Sequence, residues 1–100
     1  WSYAAAAPEG QRGNSTAVAR ARLDLDALEL KDVQVIFRQS PTVDSNHHFG
    51  SRLVFAPSGH LFVTLGDRYS RDQDAQTLDN HHGKIVRLTA DGGVPADNPF

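Results

Sequence analysis

The sequence of 100 residues contains no cysteine and no methionine. Without cysteine there is no disulfide scaffold, no thiol nucleophile and no Cys-ligated metal. Long hydrophobic runs are also missing. The longest, such as Leu53-Val54-Phe55-Ala56, span about one helical turn, far short of the roughly 18 residues that cross a bilayer. There is no excess of basic charge either: Lys plus Arg number 10 and Asp plus Glu 12, for a net charge of −2. Such a balance disfavours nucleic acid as a partner, because phosphate backbones demand a cationic surface. A chain that is 39% hydrophobic and 22% charged is nevertheless too apolar to stay disordered. An initiator methionine and a signal peptide are lacking too. The chain opens within Trp1-Ser2-Tyr3-Ala4-Ala5-Ala6-Ala7 and stops at Asn98-Pro99-Phe100, and the expectation is a piece of a longer protein.

What is present is mostly strand and turn. In Thr16–Leu25 the residues Ala17, Ala19, Ala21, Leu23 and Leu25 alternate with Val18, Arg20, Arg22 and Asp24, which predicts a strand with one apolar face. Asp32–Gln39 places Val33, Val35 and Phe37 on one face. Arg52–Ala56 and Leu61–Leu65 are apolar runs joined by Pro57-Ser58-Gly59-His60, a turn sequence, and together predict a hairpin. Lys84–Thr89 is a further strand. Ala4–Ala7 has helix propensity, but Pro8 and Gly10 close it after one turn. Asp72–Asn80 is polar and is expected to be a loop with at most one helical turn. The fold class is therefore all-β, with antiparallel sheets.

The histidines are the most unusual feature. His47-His48 and His81-His82 each precede a strand, and His60 lies in the hairpin turn. Adjacent residues on a strand point to opposite faces, and the H-x-H spacing of a strand-borne zinc site is missing, so no metal site is expected. Asp72-x-Asp74-x-Gln76 hints at a calcium loop, but Thr77 stands where an EF-hand needs glycine. Asn14-Ser15-Thr16 matches the N-glycosylation triplet and is read as a turn. One pair stands out on geometry alone. In a hairpin the start of the first strand lies beside the end of the second, so His48 and Asp67 come to the same end of the sheet. There a carboxylate can fix the tautomer of an imidazole base.

Several of these segments, in order, resemble the soluble aldose sugar dehydrogenases of the glucose/sorbosone dehydrogenase family. The segments are His48-Phe49-Gly50-Ser51-Arg52-Leu53, Phe55-x-Pro57-x-Gly59 and Leu61-Phe62-Val63-Thr64-Leu65-Gly66-Asp67. They continue in Gln76-x-Leu78-x-Asn80-His81-x-Gly83-Lys84-Ile85-x-Arg87-Leu88 and Asp91-Gly92-x-Val94-Pro95-x-Asp97-Asn98-Pro99-Phe100. The likeness is strong over Asn46–Phe100 and looser before it. It implies about two blades of a six-bladed β-propeller. Residues 1–45 would be the last three strands of one blade, and residues 46–100 the first three of the next. It implies a dehydrogenase that oxidises an aldose at its anomeric carbon to the lactone, using pyrroloquinoline quinone and calcium. In that reading His48 is the general base, through the pattern H-x-x-x-R-L, Asp67 orients it, and Arg52 contacts substrate or cofactor or braces the loop. The clamp for the quinone would lie in other blades, so this segment by itself is expected to bind no cofactor, to be inactive and to self-associate through uncovered apolar residues such as Leu53, Phe55 and Phe62. A periplasmic or secreted bacterial location is expected, which the lack of cysteine also fits. The family's glucose-oxidising branch has a Gln a few residues after the Gly-Asp pair. Here the stretch is Arg68-Tyr69-Ser70-Arg71-Asp72-Gln73, so that sugar contact does not transfer. The competing reading is a non-catalytic propeller or sandwich module that binds a protein or carbohydrate partner, with His48 purely structural.

Overall fold

A computed structural model describes residues 1–100. The chain is all-β, with two three-stranded antiparallel sheets. The first contains β1 (Ser2–Ala6), β2 (Asn14–Asp24) and β3 (Glu29–Arg38) in that spatial order. The second contains β4 (Gly50–Phe55), β5 (Leu61–Leu65) and β6 (Ile85–Leu88), again in order. A short 3₁₀ turn over Asp72–Gln76 stands between β5 and β6. No helix is long and apolar enough to cross a membrane.

Three expectations need correction. Ala4–Ala7 does not form a helical turn. Ala4, Ala5 and Ala6 pair with Thr16, Ser15 and Asn14, because ladder bonds and the burial of Ala5 outweigh the helix propensity of a run too short to nucleate. Asn14-Ser15-Thr16 is no turn but the start of β2, with Ser15 and Thr16 buried, so the triplet is closed to modification. The apolar face expected along β2 is also not the buried one throughout. Burial is continuous over Ser15–Ala19 and then ceases, leaving Leu23 60% and Leu25 71% exposed. The reason is length: the far half of the β2–β3 hairpin has no neighbour, and Leu28, Leu30 and Val33 are exposed there as well.

The core joins the two sheets. Val18 of β2 packs with Leu61, Val63 and Leu65 of β5 and with Leu88 of β6, and Ile36, Phe37, Leu53 and Val86 close around them. β5 is central in its sheet, and its alternating burial puts Leu61, Val63 and Leu65 inward.

Polar groups register one sheet on the other. Ser2 Oγ donates to Ser51 O at 2.8 Å, and Thr16 Oγ1 donates to Phe49 O at 2.8 Å. Gln39, at the end of β3 and only 1% exposed, donates from Nε2 to Gly66 O at 2.8 Å and accepts from Thr16 N at 3.4 Å. Its backbone N–H also reaches Thr16 O at 2.8 Å. These bonds converge where β4 begins and β5 ends. Gln39→Leu keeps the volume and strands the carbonyl of Gly66, so it is expected to lower stability by about 1–3 kcal/mol in urea unfolding. A variant as stable as the parent would show that Gln39 does not couple the sheets.

Candidate functional site

The site lies at the open end of the β4–β5 hairpin. Gly50 pairs with Leu65, so the residues just before β4 face those just after β5. Antiparallel pairing thus brings His48 to Asp67, and His48 Nδ1 stands 2.7 Å from Asp67 Oδ1. Glycine is required directly after β5, beside Asp67. A Cβ on Gly66 would stand 1.8 Å from the carbonyl oxygen of His48, so the two backbones touch.

The backbone here is strained. His48, Ser51, Arg68 and Tyr69 have φ of 51°, 81°, 58° and 68°, and Gly50 between them has 70°. A left-handed conformation costs a non-glycine residue roughly 1–3 kcal/mol and persists only where its surroundings over-determine it. Arg68 supplies much of that determination. Its side chain is fully buried. Nε donates to His47 O at 3.0 Å and one terminal nitrogen to Asn14 O at 2.9 Å, while the other bonds Asn14 Oδ1 and Ser45 O. The guanidinium also lies 3.9 Å from the centre of the Phe49 ring. It accordingly ties the segment just before His48 to the first sheet. Burial pushes its pKa below the usual arginine value.

Asp67 Oδ1 accepts two hydrogen bonds, from His48 Nδ1–H and, at 2.9 Å, from Tyr69 N–H. The histidine hydrogen bond, then that backbone N–H, hold the carboxyl below its ordinary pKa of 3.8. The fold therefore favours the ionised form. The contact is fully present above that value and is lost as acid titrates the lowered group. With Nδ1–H given to the carboxylate, the lone pair of the neutral imidazole is left at Nε2. Nε2 makes no hydrogen bond within the chain, and the His48 side chain is 55% exposed.

A second histidine–aspartate pair differs in one respect. His82 Nδ1 stands 2.8 Å from Asp74 Oδ2, but His82 is fully buried and its Nε2 meets Pro41 O at 2.9 Å. Both ring nitrogens are engaged, and the pair fastens the loop before β6 to the connection between the sheets. His81 is likewise a joint: its Nδ1 accepts from Ser40 N at 3.0 Å, and burial lowers its pKa. His60 interacts with Ser58 and Arg87 in the hairpin turn. No three His, Asp or Glu side chains converge as a metal cluster.

Arg52 stands apart from the pair. Its side chain is exposed on β4 and makes no hydrogen bond or ion pair, and only its backbone N–H is held, by Thr64 Oγ1 at 3.0 Å. The bracing considered for Arg52 is made by Arg68. Composition gave no warning of this, because an arginine in a loop ordinarily faces water. Tyr69 was missed too, although a large aromatic directly after Asp67-Arg68 in a turn was a usable signal. An open trough of about 420 Å³, lined by Phe37, Phe62, Leu78, Ile85, Val94 and Phe100 among others, touches neither His48 nor Asp67.

Comparison with known proteins points to one family. A family model described as glucose/sorbosone dehydrogenase matches residues 1–100. The aldose sugar dehydrogenase YliI of Escherichia coli (strain K12) is 44% identical over 99 residues, which is 99% of this chain and 26% of that protein. An uncharacterized protein of Synechocystis is 43% identical over 99 residues, 90% of this chain and 24% of that protein. A crystal structure of glucose dehydrogenase superposes with a TM-score of 0.87 at 44% identity, over 98% of this chain and 28% of that one. The soluble aldose sugar dehydrogenase of Escherichia coli in its apo-form superposes with a TM-score of 0.88 at 43% identity, over 99% and 28%. The chain thus spans about a quarter of the length of the relatives it matches.

Gly66→Ala places a methyl group inside the His48 carbonyl and leaves the backbone no room to yield. It is expected to destabilise by about 1–3 kcal/mol and to pull His48 from Asp67. A change in the His48 ring resonances by NMR, with the core signals retained, is the expected readout. Unchanged resonances would show that the approach is not tight.

Proposed function

The chain belongs to the glucose/sorbosone dehydrogenase family, and from that membership we propose that the protein containing it oxidises an aldose at the anomeric carbon to the lactone, with His48 as general base. The observation that carries the reading is the free Nε2 of an exposed imidazole whose Nδ1 is fixed by Asp67 at 2.7 Å. Nε2 accepts the anomeric hydroxyl proton as the C–H bond gives up its hydride. Asp67 holds the ring in the required tautomer and stabilises the imidazolium that forms. A binding module would have no use for a strained, exposed base with one nitrogen kept vacant, so the geometry favours an enzyme over the non-catalytic reading.

The two-electron acceptor proposed is pyrroloquinoline quinone with calcium, which takes up hydride when bound. The fit within this segment is partial. It offers a base, a carboxylate and aromatic rings, but the arginine under the loop, Arg68, is already committed to main-chain and amide oxygens. A clamp for a tricarboxylic quinone, and calcium ligands, are therefore assigned to other parts of the protein.

In the full-length protein His48→Gln is expected to lower aldose oxidation by about 10²–10⁴-fold at unchanged fold. Turnover near that of the parent, in a protein with unaltered circular dichroism, would remove His48 from the mechanism.

The two sheets are proposed as parts of adjacent propeller blades, residues 1–45 and 46–100. Support comes from the exposed Val54, Phe55, Ile85, Leu78 and Phe100, which a closed ring would cover, whereas Leu53 and Phe62, expected to be uncovered with Phe55, are part-buried, Leu53 against the core. Leaving several such side chains wet costs a few kcal/mol at roughly 25 cal/mol per Å². The isolated 100-residue chain is therefore expected to self-associate in light scattering. A monomer at millimolar concentration would argue that these faces need no cover.

A further inference from the structure

Tyr69 has features that the proton transfer does not use. It is 68% exposed, yet it is not free. Its φ of 68° is rare for a bulky side chain, and it follows a second left-handed residue, Arg68, whose own side chain is fixed in the interior. Its backbone N–H is held by Asp67 Oδ1 at 2.9 Å, the same oxygen that holds His48 Nδ1. One carboxylate oxygen therefore orients both the base and the aromatic residue beside it. The Tyr69 ring centre lies 5.5 Å from those of both His47 and His48, and it meets the His48 ring at 83°. The core does not need this ring: the buried cluster is built from Val18, Leu61, Val63, Leu65 and Leu88. The tyrosine hydroxyl makes no hydrogen bond within the chain. A side chain kept in water would be accommodated by an ordinary turn, without two consecutive strained residues.

The chemistry at His48 limits where a substrate can lie. An anomeric hydroxyl that gives its proton to Nε2 must come within about 3 Å of it. The rest of the sugar ring then falls within reach of an aromatic group stationed against the same imidazole. A pyranose is polar at its rim and presents C–H groups on its faces, and an aromatic face can cover those groups while the hydroxyls stay solvated or hydrogen-bonded.

We propose that Tyr69 is the aldose platform of this site, its ring covering a C–H face of the sugar so that the anomeric hydroxyl is presented to His48 Nε2. This rests on the aldose-oxidation reading above. Tyr69 acts on binding and presentation, and the proton transfer belongs to His48. The left-handed pair Arg68-Tyr69 turns the ring toward the loop that carries His48.

The test uses the full-length protein and reads sugar binding separately from turnover. Glucose binding is measured by titration calorimetry on the protein without quinone, and KM and kcat are measured after quinone is added. Tyr69→Ala is expected to weaken glucose binding and to raise KM by about three- to tenfold, the equivalent of one aromatic contact, with a smaller effect on kcat. Tyr69→Phe, which keeps the face and loses only the hydroxyl, is expected to bind as the parent does. Tyr69→Gly removes the ring while relieving the left-handed strain, so it carries the same test if the alanine variant fails to fold. Ring-deleted variants that bind glucose like the parent would overturn the proposal. So would a phenylalanine variant as impaired as alanine, or a fall in kcat with binding and KM unchanged. A parent that binds glucose in a Tyr69-dependent way but oxidises no aldose would sustain the platform and overturn the proposed reaction. A parent that binds no aldose at all would overturn both.

Discussion

A guanidinium with no access to water and no carboxylate among its bonds is the constraint on which the site depends. Arg68 gives its N–H groups to His47 O, Ser45 O, Asn14 O and Asn14 Oδ1. A charge buried among neutral acceptors is tolerated only when those acceptors are well placed. The requirement runs in both directions. The carbonyls of Ser45 and His47 take their hydrogen bonds from Arg68, so the loop is fixed by the arginine as the arginine is fixed by the loop. Asn14 brings the first sheet into the same arrangement, since it also bridges to Val43. Position 68 is adjacent to Asp67, and the two side chains part: Arg68 runs inward to hold the loop, and Asp67 stays at the surface to meet His48. The burial of one sets the aim of the other.

The strain at the site becomes intelligible in this frame. Of the non-glycine residues with positive φ, His48, Ser51, Arg68 and Tyr69 lie at the hairpin's open end. The carbonyls in and beside this strained stretch are clamped by bonds from side chains elsewhere. Ser2 holds the Ser51 carbonyl, Thr16 the Phe49 carbonyl, Gln39 the Gly66 carbonyl and Arg68 the His47 carbonyl. Three of these four donors come from the first sheet or its end. One sheet thus sets the backbone on which the other displays His48, the proposed base. This gives the pairing of the two sheets a purpose beyond packing, because the geometry that a general base needs is within tenths of an ångström and no single hairpin could hold it.

How much of this was legible follows from which interactions are local. Register in a hairpin is set by a short turn, so the meeting of His48 and Asp67 could be read from Pro57-Ser58-Gly59-His60 and two apolar runs. Strands β2 to β6 were legible from alternation or short apolar runs, as was the polar loop at Asp72, whereas most of β1 was not. The interactions joining the sheets were not. Gln39, Thr16 and Arg68 are ordinary polar residues in sequence, and nothing in their spacing announces burial, which arises from partners 21 to 54 positions away. The apolar pattern of β2 also misled for a physical reason. Alternation reports what a strand could bury, and Leu23 and Leu25 lie beyond the end of the sheet that would have covered them.

The two histidine–aspartate pairs show why identity and distance do not by themselves mark a catalytic group. His82 with Asp74 and His48 with Asp67 have contacts of 2.8 and 2.7 Å, and each joins an imidazole Nδ1 to a carboxylate. What separates them is the other nitrogen. In His82 it is satisfied by Pro41 O inside the protein, so a proton there has nowhere to go and the ring serves as a joint. In His48 it is kept vacant at the surface, beside an exposed tyrosine and on strained backbone. A buried polar atom left unpaired would be costly, so vacancy is stable only where water or a substrate can reach it. The exposure of His48, which on composition alone would count toward a trivial surface residue, is therefore the condition that the proposed role as a base requires.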